Sequence, residues 1–185
     1  MAKAKKDQYD YLYKIVVVGD GGVGKTSLLS SFTRNNPTSM YCSHYIAVTV
    51  TIGGKVIRAM IFDTDGQERF GCLPKSHYEG VTGAVLVYDL TNHRTFENIA
   101  RWLTEINEHT DSSIATVLVG NKCDLEHSRA VDKEEAIKCA SVSKIPFMET
   151  SAVDTTNVEK AFVTIIKKVH EISSAKQRVN CCSIQ

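Results

Sequence analysis

Apolar positions along the chain follow two alternating periods. From Tyr11 to Gly19 (Tyr-Leu-Tyr-Lys-Ile-Val-Val-Val-Gly) β-branched residues run almost unbroken and stop at glycines, the pattern of a strand buried on both faces. Lys25–Thr33 changes to helical spacing. Tyr45–Ile52 and Lys55–Asp63 read as strands joined by Gly53-Gly54, a turn in which both residues take positive φ, so this pair is antiparallel. Further short apolar strands are predicted at Gly83–Asp89, Ala115–Gly120 and Ile145–Thr150. Between them Thr95–His109, Asp132–Ser141 and Thr156–Ile172 space their apolar residues three and four apart. Phe96, Ile99, Trp102, Leu103 and Ile106 make one core-facing stripe, and Val158, Phe162, Ile165, Ile166 and Val169 another.

Strands alternating with helices across short loops predict an α/β fold: a six-stranded, mostly parallel sheet with one antiparallel edge strand and helices on both faces. A length of 185 residues with 43% hydrophobic and 23% charged suits one globular domain. We place it at 9–172, between an N-terminal extension at 1–8 and a polar tail at 173–185, both read as flexible. The net charge of +1 gives no overall basic field for nucleic acid. The longest apolar runs, Ile15–Val18 and Ala84–Tyr88, fall far short of the roughly 20 residues that cross a bilayer. The basic N-terminus lacks the apolar stretch of a secretory signal, so a cytosolic protein is expected. Cys42, Cys72, Cys123 and Cys139 are scattered without ligand spacing and read as thiols. Cys181 and Cys182 differ: they are adjacent and follow a polar segment with no core to join.

Two motifs carry chemistry. Gly19-Asp20-Gly21-Gly22-Val23-Gly24-Lys25-Thr26 fits G-x-x-x-x-G-K-[ST] and joins a buried strand to a helix, the context that motif requires. Its glycines let successive backbone N–H groups converge, the helix N-terminus adds partial positive charge, and the result is a nest for a β-phosphate. Lys25 then reaches the β- and γ-phosphates and the Thr26 hydroxyl serves Mg²⁺. Asn121-Lys122-Cys123-Asp124 lies just past a strand end, on the sheet edge where open parallel sheets bind ligands. A carboxylate at Asp124 can accept hydrogen bonds from the N1–H and 2-amino groups of guanine, a pattern adenine lacks.

With these residues the sequence resembles the small Ras-like GTPases, and among them the Rab family, over nearly all of 9–172. Asp63-Thr64-Asp65-Gly66-Gln67-Glu68-Arg69-Phe70 is similar to the family's D-T-A-G-Q-E-R-F. The resemblance implies that Asp63 holds Mg²⁺ through water, that the Gly66 N–H senses the γ-phosphate and that Gln67 orients the attacking water. Glu149-Thr150-Ser151-Ala152 resembles the E-T-S-A segment that meets the guanine base, which brings Ser151, Ala152 and Val153 to the nucleotide, as the loop match brings Ser27. Tyr45, Phe62 and Tyr78 match an aromatic triad read by effectors. The Cys181-Cys182-Ser183-Ile184-Gln185 ending resembles those that take two geranylgeranyl chains, enough for stable anchoring; a farnesyl on Cys182 with palmitate on Cys181 is the alternative. The implied protein is a slow GTPase with Gln67 and Lys25 as its catalytic residues and no arginine plainly placed to act in cis. It cycles between GTP and GDP with Mg²⁺ and regulates vesicle traffic as a monomer held reversibly on the cytosolic face of a membrane. Its implied partners are an exchange factor, an activating protein, a GDP-dissociation inhibitor or escort protein, and effectors.

Three departures from the family pattern stand out. The segment after Thr26 is several residues short, which puts His44 or Met40, depending on the direction of counting, where the family has its Mg²⁺-binding threonine; Thr38 and Asp65 are the candidate replacements. The same shortening puts Pro37 in place of the aromatic that leans over guanine, with Phe32 or Tyr41 as substitutes. Asp65 stands where the family has alanine, and a carboxylate about 5 Å from a γ-phosphate costs roughly 3 kcal/mol at an effective dielectric of 20. Val153 stands where the family has a lysine covering the base. Those departures leave an alternative, a degenerate adaptor that binds GDP or no nucleotide. A small-molecule kinase fits the phosphate loop alone but gives no reason for Asn121, Asp124 or Gln67.

Overall fold

The structure, a computed structural model, describes residues 9–34, 36, 39–41, 45–64, 75–110 and 114–182. The chain runs β1 (Tyr11–Val18), α1 (Lys25–Arg34), β2 (Met40–Tyr41), β3 (Tyr45–Ile52), β4 (Lys55–Asp63), β5 (Val81–Asp89), α2 (His93–Glu97), α3 (Ile99–His109), β6 (Ala115–Asn121), α4 (Lys133–Val142), β7 (Phe147–Thr150) and α5 (Val158–Cys182). The sheet order is β2-β3-β4-β1-β5-β6-β7. β4, β1, β5, β6 and β7 pair in parallel, and β3 pairs antiparallel to β4. All the expected strands are present. The two-residue β2 adds a seventh, so β2 and not β3 ends the sheet on that side.

Gly53 and Gly54 turn the β3–β4 hairpin with φ of 56° and 77°, the left-handed pair a two-residue loop demands. β1 is the axis of the molecule: Ile15, Val16, Val17 and Val18 have no exposed surface. Ile15 and Val17 join one core with Phe32 of α1 and Phe162, Ile165 and Val169 of α5, while Val16 and Val18 join the other with Trp102 and Ile106 of α3 and Ala136 of α4. An unbroken apolar strand is therefore the required sequence for β1, because successive side chains enter opposite cores.

Two boundaries differ from expectation. The helix expected over Thr95–His109 begins at His93 and is interrupted at Asn98, where α2 gives way to α3. The tail does not read out as coil: α5 continues to Cys182, ten residues past Ile172. Among the residues whose side chains are described, Ile172 is the last apolar one packed on the core, and from Ala175 to Arg178 the helix is exposed. Good helix formers (Ala175, Lys176, Gln177, Arg178) let an amphipathic helix run on after its buried face ends.

Candidate nucleotide site

Parallel pairing brings four strand ends to one edge of the sheet. Asp63 of β4 lies opposite Val17, just before β1 ends at Val18, and Asp89, Asn121 and Thr150 at the ends of β5, β6 and β7 lie in one register row. This is the edge at which open α/β sheets bind ligands.

Gly19–Gly24 joins β1 to α1 there. Gly19 has φ of 151° and passes so close to the Val87 carbonyl that a Cβ would overlap it. Gly24, at φ of 93°, would drive a Cβ into the Asn121 carboxamide. Lys25 is 1% exposed and folds back over the loop, its Nζ donating to the carbonyls of Gly19 at 3.0 Å and Asp20 at 2.9 Å. A buried ammonium in a ring of backbone dipoles at a helix N-terminus is a phosphate cradle. Gly21 and Gly22 are exposed at its rim, Val23 is buried beneath it, and Ser27 is exposed on the next turn.

The Thr26 hydroxyl donates to Asp63 Oδ2 at 2.5 Å. Two hard oxygens facing each other beside a phosphate nest suit a small divalent cation that also keeps waters and phosphate oxygens, as Mg²⁺ does. Next along, the Thr64 hydroxyl donates to the Val17 carbonyl at 2.7 Å and fixes the exit of β4 to β1.

Asn121 works as a strut. Its buried carboxamide donates to the Val23 carbonyl at 2.9 Å and accepts from the Thr150 hydroxyl at 3.2 Å, tying the phosphate loop to β7. Lys122 takes a left-handed φ of 70°, which turns its side chain back to donate to the Gly22 carbonyl at 2.9 Å and to pair with Asp89 Oδ2 at 2.6 Å. Burial pushes the Asp89 carboxyl up, but the bonds from Lys122 and Thr91 outweigh it and hold its pKa below the usual range. Asp124 is exposed at the start of the short 3₁₀ turn Cys123–Ser128. Ser151 is fully buried and its Oγ accepts from the Val153 and Asp154 N–H groups at 3.1 and 3.3 Å, shaping the loop that follows β7. Ala152 is half-buried and Val153 is 81% exposed.

The chain matches the Ras family model over residues 14–171. It is also 48% identical over 174 residues to Ras-related protein RABA1a of Arabidopsis thaliana, an alignment covering 92% of this chain and 81% of that relative. The chain belongs to the Rab branch of the Ras family, and it is a GTPase.

Several of this Rab protein's expected site residues fall outside the described set: Thr38 and His44 in the shortened segment, and Asp65, Gly66 and Gln67. Of the two aromatic substitutes, Phe32 is ruled out, being 1% exposed and stacked on Phe162 at 4.5 Å between ring centres, in the core behind α1. The side chain of Tyr41 is outside the described set. In the effector triad, Tyr45 and Phe62 pair across the hairpin at 5.1 Å, with Lys14 Nζ 4.9 Å from the centre of the Phe62 ring. Tyr78 is placed otherwise than an exposed effector contact: it is 2% exposed, donates to Glu105 at 2.8 Å and stacks on His109. Cys181 and Cys182 close α5, with side chains outside the described set.

Sequence reading passed over Asp89 and Asp20. Asp89 carried a signal, an acidic residue ending an apolar strand on the ligand edge. Asp20 sat in the motif as a free position and gave none.

Proposed function

We propose that this Rab GTPase works as a membrane-anchored switch in vesicle traffic, holding GTP or GDP together with Mg²⁺ and hydrolysing GTP by in-line attack of water. Thr26 and Asp63, the latter through water, are the proposed Mg²⁺ partners, with Thr38 or Asp65 completing the set. When bound, the ion supplies charge neutralisation for the phosphates. Gly19, Gly21, Gly22, Val23, Gly24, Lys25, Thr26 and Ser27 bind phosphate. Asn121, Lys122, Asp124, Ser151, Ala152 and Val153 bind the guanosine, and Gln67 places the water.

The observation that carries the reading is the convergence of the Lys25 ammonium, the Thr26–Asp63 oxygen pair and the Asn121 strut on one sheet edge. No helix among the described residues is long and apolar enough to cross a membrane. Attachment is assigned to lipids on Cys181 and Cys182 because the Cys-Cys ending resembles those that take two lipid chains. Exchange factor, activating protein, escort protein and effectors are assigned as a Rab protein requires them, with Tyr45 and Phe62 on the effector face.

Single-turnover hydrolysis tests the switch: purified protein is loaded with GTP in Mg²⁺ and the bound nucleotide is followed by chromatography, with Asp65→Ala alongside. Slow conversion to GDP in the wild type is expected, and faster conversion or tighter GTP binding in the variant shows that Asp65 restrains the GTP state. A wild type that holds GDP but sheds GTP overturns the switch in favour of a constitutive adaptor. Mass spectrometry of protein from a eukaryotic host should find lipid on the two terminal cysteines, and an unmodified tail would remove the membrane assignment.

A further inference from the structure

The side chain of Asp20 turns away from the phosphate loop. Its carboxylate accepts from Asn98 Nδ2 at 2.6 Å and Trp102 Nε1 at 2.8 Å, and pairs with the Arg101 guanidinium at 3.2 Å. All three donors belong to the first turn of α3 or its N-terminal flank. Trp102 has no exposed surface, so its indole N–H requires a protein acceptor, and Asp20 is that acceptor. Arg101 lies over the Trp102 ring at 4.8 Å and is oriented toward the same carboxylate. The interruption between α2 and α3 falls at Asn98, whose side chain is spent on this contact.

Main chain and side chain of Asp20 do different work. The carbonyl helps hold the Lys25 ammonium, whereas the carboxylate is fixed on α3. With the side chain fixed by three donors, rotation of the Asp20 peptide is restricted, and with it the orientation of the loop amides and of Lys25. Charge adds to this. A free carboxylate beside a phosphate nest repels the nucleotide, and the donors on α3 both turn it away and neutralise it.

We propose that Asp20 is a positioning residue that clamps the phosphate loop to α3 and thereby slows nucleotide release. Asp20 touches no nucleotide in this role; it acts through the loop backbone and Lys25. The inference rests on the nucleotide site described above, and a protein that fails to bind GDP at all fails on that reading, not on this one.

The test uses the full chain loaded with fluorescent GDP in Mg²⁺ and chased with unlabelled GDP, for wild type, Asp20→Asn, Trp102→Phe and the double variant. Trp102→Phe keeps an aromatic ring in the core and deletes the indole donor together with the pyrrole part of the ring. Each single variant should release GDP about tenfold faster, the scale set by a hydrogen bond to a buried charge. The double variant should match the faster single one, because both changes break one clamp. Release within about twofold of wild type in either single variant, or a double effect equal to the product of the singles, overturns the proposal. Should Trp102→Phe fail to fold, Asn98→Ala takes its place, since Asn98 is half-buried and outside the core. A second readout needs no nucleotide: Trp102 is the chain's single tryptophan, and Asp20→Ala should shift its emission in nucleotide-free protein. An unchanged spectrum overturns the clamp.

Discussion

Thr26 and Asp63 are joined by a hydroxyl–carboxylate hydrogen bond of 2.5 Å that locks the first turn of α1 to the end of β4. The same two groups are the proposed partners of Mg²⁺, Thr26 directly and Asp63 through water, so binding the ion exchanges this hydrogen bond for contacts to the cation. Asp63→Asn keeps the shape and a hydrogen-bonding group but removes the charge. Release of GDP from this variant in Mg²⁺ should rise by about tenfold to a hundredfold, toward the wild-type rate in EDTA, as expected for loss of a charge-assisted contact. Equal Mg²⁺ dependence in the two proteins would separate Asp63 from the ion.

Gly19 and Gly24 should differ in how they fail. A Cβ at Gly19 meets the Val87 carbonyl, part of the β5 backbone, which cannot move without disturbing the sheet. At Gly24 the obstacle is the Asn121 side chain, which can rotate away at the expense of its bonds to Val23 and Thr150. Gly19→Ala is expected to lose about 3 kcal/mol or more of stability in urea unfolding, as backbone overlap and a positive φ combine. Gly24→Ala shares the strain of a positive φ but not the backbone overlap, so it should lose less stability than Gly19→Ala and should also lose GDP affinity, measured by fluorescence titration.

Asn121→Ala removes one donor and one acceptor inside the protein. The Val23 carbonyl and the Thr150 hydroxyl are both left without this partner in a dry setting, and Thr150 has no exposed surface. Costs of about 1–3 kcal/mol per orphaned group give a large drop in urea midpoint. Asn121→Asp, which keeps the acceptor for Thr150 but places a carboxylate against the Val23 carbonyl, should be no better.

The ligand edge was legible in sequence because its residues lie in motifs whose spacing is local: Gly19–Thr26 within one turn, and Asn121 to Asp124 after one strand. The sheet was legible because apolar runs and the Gly53-Gly54 turn have few other uses. The contacts that hold the site together were not. Asp20 meets Trp102, and Lys122 meets Gly22, across separations of 82 and 100 residues, set by packing of elements with no sequence period to announce them. Phe32 and Tyr78 show the same limit from the other side: sequence offers Phe32 as a substitute aromatic over guanine and Tyr78 as an effector contact, and both side chains pack into the core.

Asp89 makes the Lys122 arm sensitive to acid. Its folded pKa lies below the ordinary value of 3.8, so the Asp89–Lys122 contribution to stability is complete above the unfolded pKa and is lost as pH falls through the folded one. Stability curves of wild type and Asp89→Asn should therefore run parallel above about pH 5 and converge below about pH 4. The variant lies lower at neutral pH and also releases GDP faster there, because Lys122 loses the partner that holds it over Gly22. Curves that stay parallel down to pH 3 would mean that Asp89 contributes no pH-dependent support.

Tyr78 donates to Glu105 at 2.8 Å, and Glu105 is 8% exposed. Tyr78, three residues before β5, is thus fastened to α3 through the side chain that the resemblance sets toward effectors, with His109 stacked on its ring at 5.2 Å and with Lys14 Nζ donating to the neighbouring Glu79 carbonyl at 2.9 Å. Tyr78→Phe retains the ring and the stacking and removes only the donor to a carboxylate, so a loss of about 1–2 kcal/mol in urea unfolding is expected with an unchanged m value. Tyr45→Ala, at a half-buried hairpin position, should cost less stability than truncating Tyr78 to Ala. If the order is reversed, Tyr78 is held more loosely than its burial implies.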